Sequence, residues 1–189
     1  MKRLLLLCTV VLIAASTLFA QSAPPQQGPP PPPKSPTVKE AGIIGGAAIT
    51  IDYCSPRVRG REGKIFTKDG LISHNPHYPV WRAGANDATK LTVDADVKIG
   101  DLLVPKGVYT LFVDISDPAK WVLVVSKKTG EWGLAYDAAS DLGRVPMKTS
   151  ATPALVEELK YTLADLGGGK GTLTLAWENV TATVPVAAK

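Results

Sequence analysis

The chain has 189 residues, 21 Lys and Arg against 17 Asp and Glu, two histidines and a formal net charge of +4. So small a basic excess argues against a nucleic-acid binder, which carries a strongly basic stripe. No motif in the sequence specifies a reaction or a cofactor, so no cofactor is expected.

Lys2 and Arg3 precede an apolar run from Leu4 to Leu18, broken by Thr9, Ser16 and Thr17, that ends at Ala20 before the polar Gln21. A charged start, a short apolar stretch and a small residue at its end are the pattern of a secretory signal. A membrane-spanning helix needs roughly 20 apolar residues, and an uncleaved anchor is the alternative reading. Residues 1–20 are therefore expected to be a cleaved signal peptide. The mature chain would start at Gln21 or a few residues later, in the periplasm or outside the cell. Loss of Lys2 and Arg3 takes the charge from +4 to +2, and loss of Cys8 leaves Cys54 without a disulfide partner. No later stretch is apolar enough to cross a membrane.

Residues 21–41 are read as a proline-rich, extended spacer, with an unbroken proline run from Pro29 to Pro33. Proline fixes φ and donates no backbone hydrogen bond, which disfavours sheet pairing. From residue 42 the pattern changes to period-two alternation, the signature of strands. Ile49, Ile51 and Tyr53 alternate with Thr50, Asp52 and Cys54, and Leu91 and Val93 with Thr92 and Asp94. Tyr109, Leu111, Val113 and Ile115 share one face of another strand. Asp117–Pro118 turns it into the doubly apolar Trp121–Ser126. Leu159, Tyr161 and Leu163 lead into the glycine run Gly167–Gly169, followed by Leu173, Leu175 and Trp177. Glu178–Asn179 is read as a last turn before a closing strand through Val186. One short helix is expected around Tyr136–Leu142. Residues 42–187 are thus expected to form a single antiparallel, jelly-roll-like β-sandwich with at most one short helix.

Five blocks occur in order: Ser55–Pro56–Arg57–Val58–Arg59–Gly60–Arg61, Trp81–Arg82–Ala83–Gly84–Ala85–Asn86 on to Thr89, Pro105 to Phe112, Trp132–Gly133 with Tyr136, Asp137, Asp141 and Arg144, and Leu173 to Glu178. Together they resemble the bacterial domain of unknown function 2911 over about residues 47–186. The resemblance implies export and a β-rich fold, and it implies no activity. His77 stands where that pattern has a tyrosine, and the residues around Ser73–His74–Asn75 are extra.

His74 and His77 are weak metal-ligand candidates, since even a catalytic zinc needs three protein ligands. No Gly–x–Ser–x–Gly elbow is present. Gly167–Gly171 lacks phosphate-loop spacing and is followed by a strand pattern rather than a helix. The remaining candidates are Trp81, Arg82, Asn86, Trp132, Tyr136 and Arg144. A guanidinium offers a fork of donors for carboxylate or phosphate, Asn86 both donates and accepts, and Gly84 and Ala85 allow close approach. Alternatively, Arg82 pairs with Asp137 or Asp141 and locks its loop to the sheet. The expected function is a non-catalytic binding or envelope-interaction module for a small-molecule, glycan or envelope partner. An exported hydrolase with an unrecognised site is the alternative.

Overall fold

A computed structural model describes residues 34–189, so the signal peptide and most of the spacer lie outside the described residues. The first strand, β1 (Thr37–Ile44), turns at Gly45–Gly46 into β2 (Ala47–Cys54). β1 starts within the expected spacer. Its residues alternate exposed and half-buried, and only Ile44 is buried, so Val38 to Gly42 carry little of the apolar signal that marks a strand. A long irregular segment then leads through a 3-10 turn at Ile72–His74 to the short β3 (Val80–Trp81) and to β4 (Thr89–Val93). Next come β5 (Val97–Ile99), β6 (Leu102–Val104), β7 (Gly107–Asp114), β8 (Val122–Ser126) and β9 (Asp141–Pro146). Two long strands, β10 (Lys148–Gly167) and β11 (Lys170–Ala188), end the chain. Helical structure among the described residues is limited to 3-10 turns, and the expected helix is the single turn Ala138–Ser140.

The strands form an antiparallel sandwich. One sheet runs β1-β2-β4-β7-β8-β9, with β3 also on β7, and the other runs β10-β11-β5-β6. β3 and β4 lie end to end along the same edge of β7, so the chain between them, residues 82–88, forms a loop at the sheet margin. The alternation read for β7 holds: Tyr109, Leu111, Val113 and Ile115 are buried between the sheets with Leu123, Leu173, Leu175 and Trp121. Phe112 and Val124, on the opposite face, are covered with Val80 by Tyr136 from the loop after β8.

Glu178–Asn179 is not a turn. β11 continues through it, and β10 pairs with β11 on both sides, Lys160–Ala176 before it and Ser150–Thr181 after it. Glu178 instead adopts a left-handed φ of +57°, and the register shifts opposite Val156, so the ribbon bulges and bends rather than reverses. The bulge turns the Glu178 side chain inward, 3% exposed, where its carboxylate accepts the Gly63 N–H. That bond ties the segment between β2 and β3 to the sandwich, and Val58, Ile65 and Ile72 of the same segment enter the core. Among the described residues, no helix is long and apolar enough to cross a membrane.

Candidate functional site

The loop after β3 is pinned from several sides. Trp81 Nε1 donates to Gly84 O at 3.1 Å, Thr89 Oγ1 and Tyr161 OH donate to Ala83 O at 3.2 and 2.9 Å, and Ala85 N donates to Cys54 O at 3.0 Å. Ala83 (φ +52°) and Asn86 (φ +55°) are both left-handed without being glycine, a conformation that costs on the order of 1–2 kcal/mol per residue. Gly84 cannot gain a side chain here, because a Cβ would meet Thr89 Oγ1 at 2.8 Å and Cys54 O at 3.2 Å. Ordered backbone strain of this kind concentrates at binding sites.

Trp81 is 2% exposed and lies within the sandwich. Its ring stacks on Trp177 from β11, with centroids 5.8 Å apart at 23°, and Phe66 meets both rings edge-on. Arg82 follows at the margin, half-buried. Gly133 presses against it so closely that a Cβ there would collide with Arg82 Cδ and with the Asn86 carbonyl. An antiparallel bridge from Asp87 to Trp132 fastens this second loop over the first. Trp132 itself is 56% exposed.

A cavity of about 260 Å³ opens beside Arg82, walled by Pro56, Leu71, Ile72, Trp81, Leu134 and Trp177, with His74 and Asn75 as polar neighbours. No Asp or Glu lines it. Arg82 Nε is buried without a hydrogen-bond partner among the described residues, and so is Trp177 Nε1. Burial pushes the Arg82 guanidinium below the ordinary arginine value, with Cys54 acting weakly the other way. The pairings weighed for Arg82 do not form. Asp137 accepts from Ala139 N and Ser140 Oγ in its own turn, and Asp141 accepts from Tyr136 OH and Arg144 Nε.

Asn86 faces an adjoining groove that shares Pro56, Leu71 and Ala85 with the first cavity and is lined by Lys34, Arg57, Arg59 and Arg61. Arg57 pairs with Glu158, whereas Arg59 and Arg61 spend their guanidinium bonds on backbone carbonyls of Lys34, Val58 and Arg57. Those two cations therefore keep a charge that no carboxylate within the groove offsets.

Tyr136 and Arg144 belong to a separate cluster on the outer face of the larger sheet. Arg144 donates to Asp114 Oδ2 at 3.2 Å, to Asp141 Oδ2 at 3.1 Å and to the Tyr136 hydroxyl. Of the six candidates, Trp81 and Arg82 line the cavity and Asn86 the adjoining groove. Trp132 lines neither and is tied to the same loop only through Asp87, and Tyr136 and Arg144 form a polar clasp elsewhere. His74 Nδ1 lies 2.9 Å from Gly70 O and His77 packs edge-on to Tyr136. No group of three or more His, Cys, Asp or Glu able to hold a metal occurs among the described residues.

Sequence reasoning missed Leu71, Leu134 and Trp177 as cavity walls. Trp177 reads as core, and it is core on one side. Leu134 carried a usable signal, an apolar residue beside Trp132 in a glycine-punctuated loop.

A family model described as protein of unknown function (DUF2911) matches residues 35–186. Neither the curated proteins nor the solved structures return a match.

Proposed function

We propose that this chain, which belongs to the DUF2911 family of proteins of unknown function, is an exported, non-catalytic binding module whose Arg82 cavity takes an anionic small molecule. The observation that carries this reading is the buried Arg82 Nε, which has no hydrogen-bond partner among the described residues. Burying a cation without an anion is costly, and buried polar groups in native proteins are nearly always satisfied. A ligand oxygen supplies what the protein withholds. The neighbouring Arg59 and Arg61 add a positive field at the mouth that raises the local concentration of anions.

Binding rather than hydrolysis is supported by the lining, in which His74 has neither a carboxylate to orient it nor a serine or cysteine to activate. Thermal unfolding in rising phosphate, with chloride at matched ionic strength as reference, tests the reading. Phosphate should raise the melting temperature of the native chain, because a ligand of the folded state stabilises it. It should do so much less for Arg82→Lys, which keeps the charge and loses the fork. Equal shifts in both would defeat the assignment. Export rests on the charged leader and its short apolar run; material recovered outside the cytoplasm that still begins at Met1 would contradict a cleaved signal peptide.

A further inference from the structure

We infer that the ligand of the Arg82 cavity is a small carboxylic acid with an apolar body, its carboxylate held by the donors of Arg82 and Trp177. This rests on the anion-binding reading and narrows it. Two residues that wall the same cavity each carry a buried donor without a partner among the described residues, Arg82 Nε and Trp177 Nε1. The third donor of that kind, Trp81 Nε1, is already spent on Gly84 O. An acceptor group is therefore wanted, and an amine or other cation is not.

The remaining walls decide between acids. Pro56, Leu71, Ile72, Leu134 and the two stacked indoles offer apolar surface around a single guanidinium. A phosphate or sulfate dianion can meet the guanidinium but presents oxygens in every direction and would leave most of them against those walls, so it should bind more weakly than a carboxylate. A carboxylate confines its charge to one planar end, which suits the edge of a guanidinium, and its body can then cover the walls. The size agrees: 260 Å³ corresponds to the liquid volume of about nine waters, enough for a short chain or one ring. At the mouth, Leu71 and Leu134 are both exposed, and burying them under such a body gives a hydrophobic contribution that a bare inorganic anion cannot.

The test is a titration of the purified chain with acetate, butyrate, hexanoate, hexanamide and inorganic phosphate, followed by tryptophan fluorescence and by thermal shift. Affinity should rise roughly fourfold per methylene from acetate to hexanoate, the gain expected for burying each CH₂. Hexanamide should bind at least about tenfold more weakly than hexanoate, for want of a charge-assisted bond. Leu134→Ala should flatten the chain-length gain without affecting folding, since Leu134 is exposed. Trp177→Phe should weaken hexanoate by at least about tenfold through loss of one hydrogen bond to the charged carboxylate; if that variant unfolds, the chain-length series on the native protein still decides. Phosphate binding that depends on Arg82, with no binding of hexanoate, would overturn the carboxylate inference and leave the anion site standing. Equal binding of hexanoate and hexanamide, or hexanoate binding undiminished in Arg82→Met, would overturn both.

Discussion

Two arginines at the margins of the same sheet have opposite surroundings. Arg144 reaches two carboxylates and a tyrosine hydroxyl, whereas Arg82 has an unpartnered Nε and a wall of indole and leucine. Burial lowers the pKa of both, but Tyr136 and Asp141 more than restore Arg144, and no carboxylate does the same for Arg82. A charge that the fold uses is paired within the fold. A charge kept half-buried without a partner costs stability, and that cost is intelligible when something outside the chain completes it.

The comparison can be tested by substitution. Trp177→Ala should have the largest effect, a loss of about 3–5 kcal/mol in denaturant unfolding, because it empties the core between Trp81, Phe66 and Trp121. If it costs little, the aromatic stack is not what supports the Arg82 loop. Arg144→Met should cost about 1 kcal/mol, the scale of a partly exposed ion pair, and binding at Arg82 should be unaffected. Arg82→Met should leave stability unchanged or raise it by up to about 1 kcal/mol, since an unpaired buried charge is replaced by an apolar chain of similar length. A clear loss of stability on Arg82→Met would place Arg82 with Arg144 as a structural residue and erase the contrast.

The smallest expected effect concerns acidity. Burial raises the Glu178 carboxyl above the ordinary glutamate range, against the pull of the Gly63 hydrogen bond. Its contribution is therefore full below the unfolded value of about pH 4.3 and is lost as pH rises through the higher folded pKa. Asp52 behaves in the opposite sense. The Lys39 bond lowers its pKa, with Lys90 assisting against burial, so its contribution is present above the unfolded value and is lost at more acid pH. Glu178→Gln should flatten the acid-side rise in stability and Asp52→Asn the acid-side fall. Unfolding midpoints at pH 3, 5 and 7 separate the two.

Most of the sandwich was legible because its strands bury one face more deeply than the other, as β2 does with Ala47, Ile49, Ile51 and Tyr53 buried and the residues between them half-buried. β7, by contrast, alternates in side-chain direction but is covered on both faces from Tyr109 to Val113. The first half of β10 and the start of β1 were not, since their residues are mostly exposed and their pairing partners, not their own composition, hold them extended. Glu178 misled for a related reason: a charged residue next to asparagine signals a surface turn, and only the bulge explains a glutamate pointing inward. In the site, Arg82, Asn86 and the glycine–alanine step were legible as a local cluster. The opposing wall, Trp177, is distant in sequence, and nothing local to it distinguishes a core tryptophan from one that borders a cavity.

The orientation of the β1–β2 hairpin has a practical consequence for attaching the protein to a surface or label. β1 spans about 26 Å at the usual strand rise. At its far end, the Gly45 turn meets Gly169 and Ala188, so the end of β11 lies there. At its near end, Lys34 and Ser35 form part of the basic groove beside Asn86. Immobilisation through Lys189 therefore presents the Arg82 mouth outward, away from the support. Linkage through Lys34 brings the support, or any fused partner, to the rim of the groove itself.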